Sequence, residues 1–191
     1  PFGARPSMGV VRTRLDRVMA SAERTPASVR DRAMEACAAA VEADQKAAER
    51  AASLLGDRVL TLSRSETVRA AIELARPDSV YVAESRPARE GIGVAERLAD
   101  DGFKATVLVD AAIEGLVASG TVDTVLVGAD VVLADGSVVN KIGTRTAIRA
   151  GSEAKIDTYA VCSRDKIVPE TEFDPEPGPS DAVYDGDADL G

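Results

Sequence analysis

Five short apolar runs recur along the chain with helix-patterned segments between them: RVLTL at 58–62, VYVA at 80–83, ATVLV at 105–109, TVLV at 124–127 and TYAVC at 158–162. Runs this short and this continuously apolar are buried on both faces, which alternating amphipathic strands are not. Separated by helices, they demand a parallel sheet with helices on either side. The predicted helices cover 66–76, 91–101 with Gly102 as stop, 111–119 and 144–151. Between the fourth and fifth strands, Asp135-Gly136 reads as the turn of a short hairpin.

Ahead of the sheet, residues 1–57 read as helical. One helix is expected over 6–23. A second starts at the Thr25-Pro26 pair, an N-cap followed by a first-turn proline. Met34, Val41, Ala48 and Leu55 then recur every seventh residue, predicting a packed seam that Gly56 terminates. The expected fold is therefore α/β: a Rossmann-like parallel sheet domain over 58–169, preceded by a small all-helical N-terminal domain over 1–57. Residues 170–191 carry eight acids and no base, with prolines at 175, 177 and 179, and read as an acidic tail or arm.

That tail explains most of the net charge of −9, so the body is close to neutral. A neutral body offers no basic face, and no direct nucleic-acid binding is expected. No run is long enough for a membrane helix, and the opening PFGARPSM holds no apolar signal core. The start lacks methionine and reads as trimmed; a cytoplasmic location is expected. Histidine is absent, which removes the commonest general base and the commonest zinc ligand. With Cys37 and Cys162 as the only cysteines, the expectation is two buried free thiols and no metal site.

Parallel sheets bind ligands beyond the carboxyl ends of their strands, where helix N-termini present free N–H groups. Those ends carry Ser63-Arg64-Ser65, Glu84-Ser85-Arg86-Pro87, Asp110, Gly128-Ala129-Asp130 and, after the hairpin, Asn140-Lys141-Ile142-Gly143-Thr144. Guanidinium, ammonium and hydroxyl groups at one edge suit a small phosphorylated ligand. No G-x-G-x-x-G follows a strand and no G-x-x-x-x-G-K-[ST] loop is present, which disfavours a dinucleotide or a nucleoside triphosphate. Taken singly, Ser63, Ser65, Thr144 and Asp110 also read as helix caps, and Arg86 as a surface ion-pair residue. A carboxylate at Asp130, closing a very apolar strand, would need a reason if buried.

Together, E-S-R-P, G-A-D and N-K-I-G-T resemble the signature of one superfamily. It contains the alpha, beta and delta subunits of eukaryotic translation initiation factor 2B, their archaeal relatives, ribose-1,5-bisphosphate isomerase and methylthioribose-1-phosphate isomerase. Arg5-Pro6 resembles that superfamily's arginine-proline motif. The resemblance implies a helical N-terminal domain joined to a Rossmann-like domain, assembled as a homodimer or with related subunits. In its isomerases a cysteine and an aspartate convert an aldose phosphate to a ketose phosphate without a cofactor.

By the same resemblance, Asp130 matches the catalytic aspartate, Asn140 and Lys141 substrate-binding positions, and Arg5 a phosphate-binding arginine. Arg64, Ser65, Arg86 and Glu90 join them as candidate binding residues. Two positions depart from the isomerase pattern: Ser63 stands where the thiol belongs, and Glu90 where the isomerases have glutamine. A serine hydroxyl does not exchange its proton near neutral pH without a strong neighbouring base. Two functions follow as expectations. One is a non-catalytic regulatory or assembly subunit with a pocket for a sugar phosphate or nucleotide monophosphate, with translation initiation factor 2 as a candidate partner. The other is an aldose–ketose isomerase.

Overall fold

In a computed structural model, residues 9–21, 25–173 and 182–183 are described. Helices α1 (Gly9–Ser21) and α2 (Pro26–Ala52) come first, then β1 (Arg58–Leu62), α3 (Glu66–Ala75), β2 (Ser79–Ala83), α4 (Glu90–Asp100) and β3 (Ala105–Leu108). After these come α5 (Ile113–Ala118), β4 (Thr124–Gly128), the short β5 (Val131–Val132) and β6 (Val138–Val139), α6 (Thr144–Ala154) and β7 (Asp157–Val161). The five long strands are all parallel, in the order β3-β2-β1-β4-β7. The chain works outward from β1 to β3, then returns to place β4 on the other side of β1. The order therefore reverses between β1 and β4, where the carboxyl ends of the two strands diverge and leave room for a site.

Alternation along each strand builds two cores. Val59, Val80, Val82 and Leu126 face α2, α3 and α4, meeting Ala48, Ala51, Ala71, Ile72 and Leu98. Leu60, Leu62, Val125 and Val127 face the opposite layer, meeting Ile113, Val117 and Ala147 from α5 and α6. Both faces are covered, as the near-continuous apolar runs require. Among the described residues no helix is long and apolar enough to cross a membrane.

The helical part differs from its sequence pattern. Thr25 caps α2 as expected, its hydroxyl accepting from the Ser28 N–H at 3.2 Å. Yet Met34 and Val41 are 67% and 69% exposed, so only the C-terminal half of the heptad pattern packs. Nor does Gly56 end the helix. α2 stops at Ala52, and Ser53 covers the last turn, its hydroxyl donating to the Arg50 carbonyl at 2.8 Å. Gly56 is small for another reason, because a Cβ there would lie 2.4 Å from Asp123 Oδ1. The helix expected over 111–119 opens as a 3-10 turn (Asp110–Ala112) before α5. The hairpin forms as read: β5 and β6 pair antiparallel, and the Asp135 carboxylate accepts from the Ser137 N–H and hydroxyl, which hold it below the usual carboxylate range.

Both cysteines are free, but Cys37 is exposed rather than buried, because it lies on the unpacked half of α2. Cys162 is half-buried. Burial pushes its thiol up, against the nearby Lys166 ammonium, while the Asp44 carboxylate adds to the rise. Since thiolate is the reacting form, an aromatic disulfide at pH 7.5 is expected to label Cys37 promptly and Cys162 at least about tenfold more slowly. Mass-resolved labelling should show the gap narrowing as pH rises and the Cys162 thiolate becomes populated.

Candidate functional site

Strand β1 ends in an unusual backbone. Ser63 sits at φ 63° and Ser85, after β2, at φ 64°, both in the left-handed region that L-residues rarely occupy. The two are tied together. Ser85 is almost wholly buried; its hydroxyl accepts the Ser63 N–H at 2.6 Å and donates to the Ala83 carbonyl at 3.0 Å. Asp110 holds this turn from the end of β3, its carboxylate accepting from the Ser85 N–H at 2.8 Å and the Arg86 N–H at 2.7 Å. Asp110 is therefore a clamp across strand ends and not the cap of its own helix.

Ser65 is the N-cap of α3, accepting from the Val68 N–H at 3.4 Å. Gly128 lets the end of β4 approach it closely: a Cβ at that position would lie 3.0 Å from Ser65 Cβ and Oγ. On the far side of Gly128, the Asp130 N–H donates to the Val139 carbonyl at 2.8 Å, which sets Asp130 beside the strand leading into Asn140. Asn140 in turn donates from Nδ2 to Thr144 Oγ1 at 2.9 Å, across the loop that starts α6.

A cleft of about 360 Å³ opens here. Ser63, Arg64, Ser65, Glu90, Asp130, Asn140 and Lys141 all line it, together with Arg14, Asp44, Glu66, Gly128 and Lys166. It occupies the reversal point between β1 and β4. Asp130 is exposed and not buried, so its charge needs no compensating partner inside the protein. Arg86 opens instead onto a neighbouring hollow with Pro87, Asp110 and Ile142. Arg5 lies outside the described residues. No group of three His, Cys, Asp or Glu among the described residues could hold a metal ion.

The lining is formally neutral, with cations Arg14, Arg64, Lys141 and Lys166 against anions Asp44, Glu66, Glu90 and Asp130. Two of those cations are committed. Arg14 pairs with Asp165 at 2.9 Å and with Asp44 at 3.8 Å, joining α1, α2 and the turn after β7. Lys141 Nζ stands 2.9 Å from Glu90 Oε2, an oxygen buried without a well-aligned donor, so the contact is an ion pair first and a hydrogen bond second. Lys166 donates to the Ala129 carbonyl at 2.6 Å, and neither it nor Arg64 has a carboxylate within ion-pair distance among the described residues. Lys166 follows β7 as Ser63 follows β1, so reading the residues beyond the fifth strand as well would have found it. Arg14 had no such signal, since its partner Asp165 lies 151 residues away.

Sheet order and cleft together define a class: a Rossmann-like α/β protein with a polar cleft at the reversal point of its sheet. Within that class the chain belongs to the Initiation factor 2 subunit family, whose sequence pattern matches residues 2–187. Among its relatives, the ribose 1,5-bisphosphate isomerase of Haloferax volcanii is 41% identical over 123 residues, 61% of this chain and 38% of that protein. The methylthioribose-1-phosphate isomerase of Pelotomaculum thermopropionicum is 41% identical over 93 residues, 48% of this chain and 26% of that one. Among solved structures, the translation initiation factor eIF-2B of Pyrococcus horikoshii superposes with a TM-score of 0.81 at 28% identity, covering 87% of this chain and 62% of that one. The chain thus spans well under half the length of these two isomerases.

Proposed function

We propose that the protein is a cytoplasmic regulatory or assembly subunit of the initiation-factor-2B type. In this reading its cleft holds a sugar phosphate or nucleotide monophosphate without converting it, and the subunit assembles as a homodimer or with related subunits. The observation that carries the reading is Ser63. It lines the cleft at the end of β1, where the resemblance puts the isomerases' thiol, and its hydroxyl has no histidine anywhere in the chain to activate it. The neutral lining supports the same reading, because Arg64 and Lys166 together with the N-terminus of α3 suffice for one phosphoryl group.

A second reading, an aldose–ketose isomerase with Asp130 as the acid–base group, is favoured by one observation: Asp130 is exposed in the same cleft as Asn140 and Lys141. The two part on one assay. Offered ribose 1,5-bisphosphate, ribose 5-phosphate and nucleoside monophosphates, the protein is expected to bind at least one, read as a rise in melting temperature, and to yield no ketose by product analysis. Turnover that Asp130→Asn abolishes would reject the regulatory reading in favour of the isomerase. Mixing with translation initiation factor 2, followed by size-exclusion chromatography, tests the partner: co-elution is the expected result.

A further inference from the structure

We propose that Glu90 sets the charge of the ligand this cleft accepts: by neutralising Lys141 it admits a singly phosphorylated ligand and discriminates against a bisphosphate. The inference rests on the phosphate-cleft reading above and narrows it to a ligand class.

Glu90 is placed with little freedom. It is the first residue of α4, and the next residue, Gly91, packs its backbone against the end of β2, where a Cβ would lie 1.9 Å from the Ala83 carbonyl oxygen. The Gly91 N–H donates to the Glu84 carbonyl at 3.1 Å, fixing the first turn of α4 to the strand end. A carboxylate at that position lies at the positive end of the helix, where its charge meets the free N–H groups of the first turn favourably. From there it meets Lys141 across the cleft at 2.9 Å, with both side chains about three-quarters withdrawn from solvent, 25% and 28% exposed.

The consequence is one of charge. A phosphate monoester brings close to two negative charges, and a bisphosphate close to four. Arg64 and Lys166, the lining cations with no carboxylate partner among the described residues, match the first and not the second. For a second phosphoryl group the remaining lining cations are Arg14 and Lys141, and both are already paired. A second group drawn to Lys141 would meet the Glu90 charge beside that ammonium, which repels it. Glutamine at this position would keep the size, remove the charge and add N–H donors, leaving Lys141 free for phosphate. A carboxylate instead presents only acceptors, which suit the hydroxyl donors of a sugar.

The test is calorimetric titration of the protein and its Glu90→Gln and Glu90→Asp variants with ribose 5-phosphate and with ribose 1,5-bisphosphate. The unaltered protein is expected to bind the monophosphate about tenfold more tightly, E90Q to shift the ratio of the two affinities at least about tenfold toward the bisphosphate, and E90D to keep the original order. An unchanged ratio in E90Q, or a preference for the bisphosphate in the unaltered protein, overturns the proposal and leaves the phosphate-cleft reading standing. If neither sugar phosphate binds to any of the three, the proposal fails, and the phosphate-cleft reading fails with it only when nucleoside monophosphates do not bind either. Should E90Q not fold, Glu90→Ser removes the same charge and carries the same comparison.

Discussion

Gly91→Ala is expected to lower stability by about 3 kcal/mol or more, whereas Gly93→Ala, two residues along the same helix, is expected to raise it by about 0.5–1 kcal/mol. A methyl group at Gly91 would meet the Ala83 carbonyl oxygen at 1.9 Å, and Ala83 C and Glu84 C at 3.0 and 3.2 Å. All three obstacles are backbone atoms of β2 or the turn after it, so no rotamer change relieves the clash. α4 would have to lift off the strand end by more than an ångström, breaking the Gly91-to-Glu84 hydrogen bond and loosening Val94, Ala95 and Leu98 from the core. At Gly93 nothing lies within 4 Å of an added Cβ, so alanine simply removes the entropic penalty of a helical glycine. Thermal melts should therefore move in opposite directions, with Gly91→Ala falling by roughly 10 °C for a chain of this size. Equal and small shifts would mean that α4 is not seated on β2 as described. Because Glu90 precedes Gly91, the same variant should also shift ligand preference as E90Q does.

The sheet was legible because each strand is buried on both faces: β1 coincides with the predicted 58–62, and the other four long strands lie within one residue at each end. Helix α2 was legible as a helix but not in its packing. At 1.5 Å per residue its 27 residues extend roughly 40 Å, while five-residue strands extend only about 17 Å. The sheet can therefore cover no more than part of it, and the heptad pattern of Met34 and Val41 continues past the surface available here. Strand-end reasoning brought six candidate residues to one cleft, to which the resemblance added Glu90, since the carboxyl ends of parallel strands share an edge whatever their order. What it could not supply is how each side chain is paired. Glu90 with Lys141, Arg14 with Asp165, and Asp110 with the Ser85 turn all join residues distant in sequence, and local pattern reports only neighbours.

Asp110 provides the second large effect. Asp110→Ala is expected to lower stability by about 2–4 kcal/mol and to weaken ribose 5-phosphate binding, although Asp110 lines the neighbouring hollow and not the cleft itself. Its carboxylate receives two backbone N–H groups, from Ser85 and Arg86, that point together because Ser85 is left-handed. Removing it leaves both donors to find water in a half-buried turn while Ser85 still bears its strained φ. Ser85 has no slack to absorb this: its hydroxyl is committed to the Ser63 N–H and the Ala83 carbonyl. The displacement therefore passes to Ser63, whose own left-handed conformation directs the β1 loop, and through it to Arg64 and the Ser65 cap of α3. Asp110→Asn retains an acceptor oxygen for one of the two donors, so about half the loss is expected, with binding reduced less. Melting curves and calorimetric titration with ribose 5-phosphate on both variants separate the alternatives. A simple helix cap would cost about 1 kcal/mol on removal and leave affinity unchanged, because the 3-10 turn it begins does not touch the cleft. Loss of affinity in proportion to loss of stability, Ala beyond Asn, is the signature of a carboxylate that holds the site's backbone from behind.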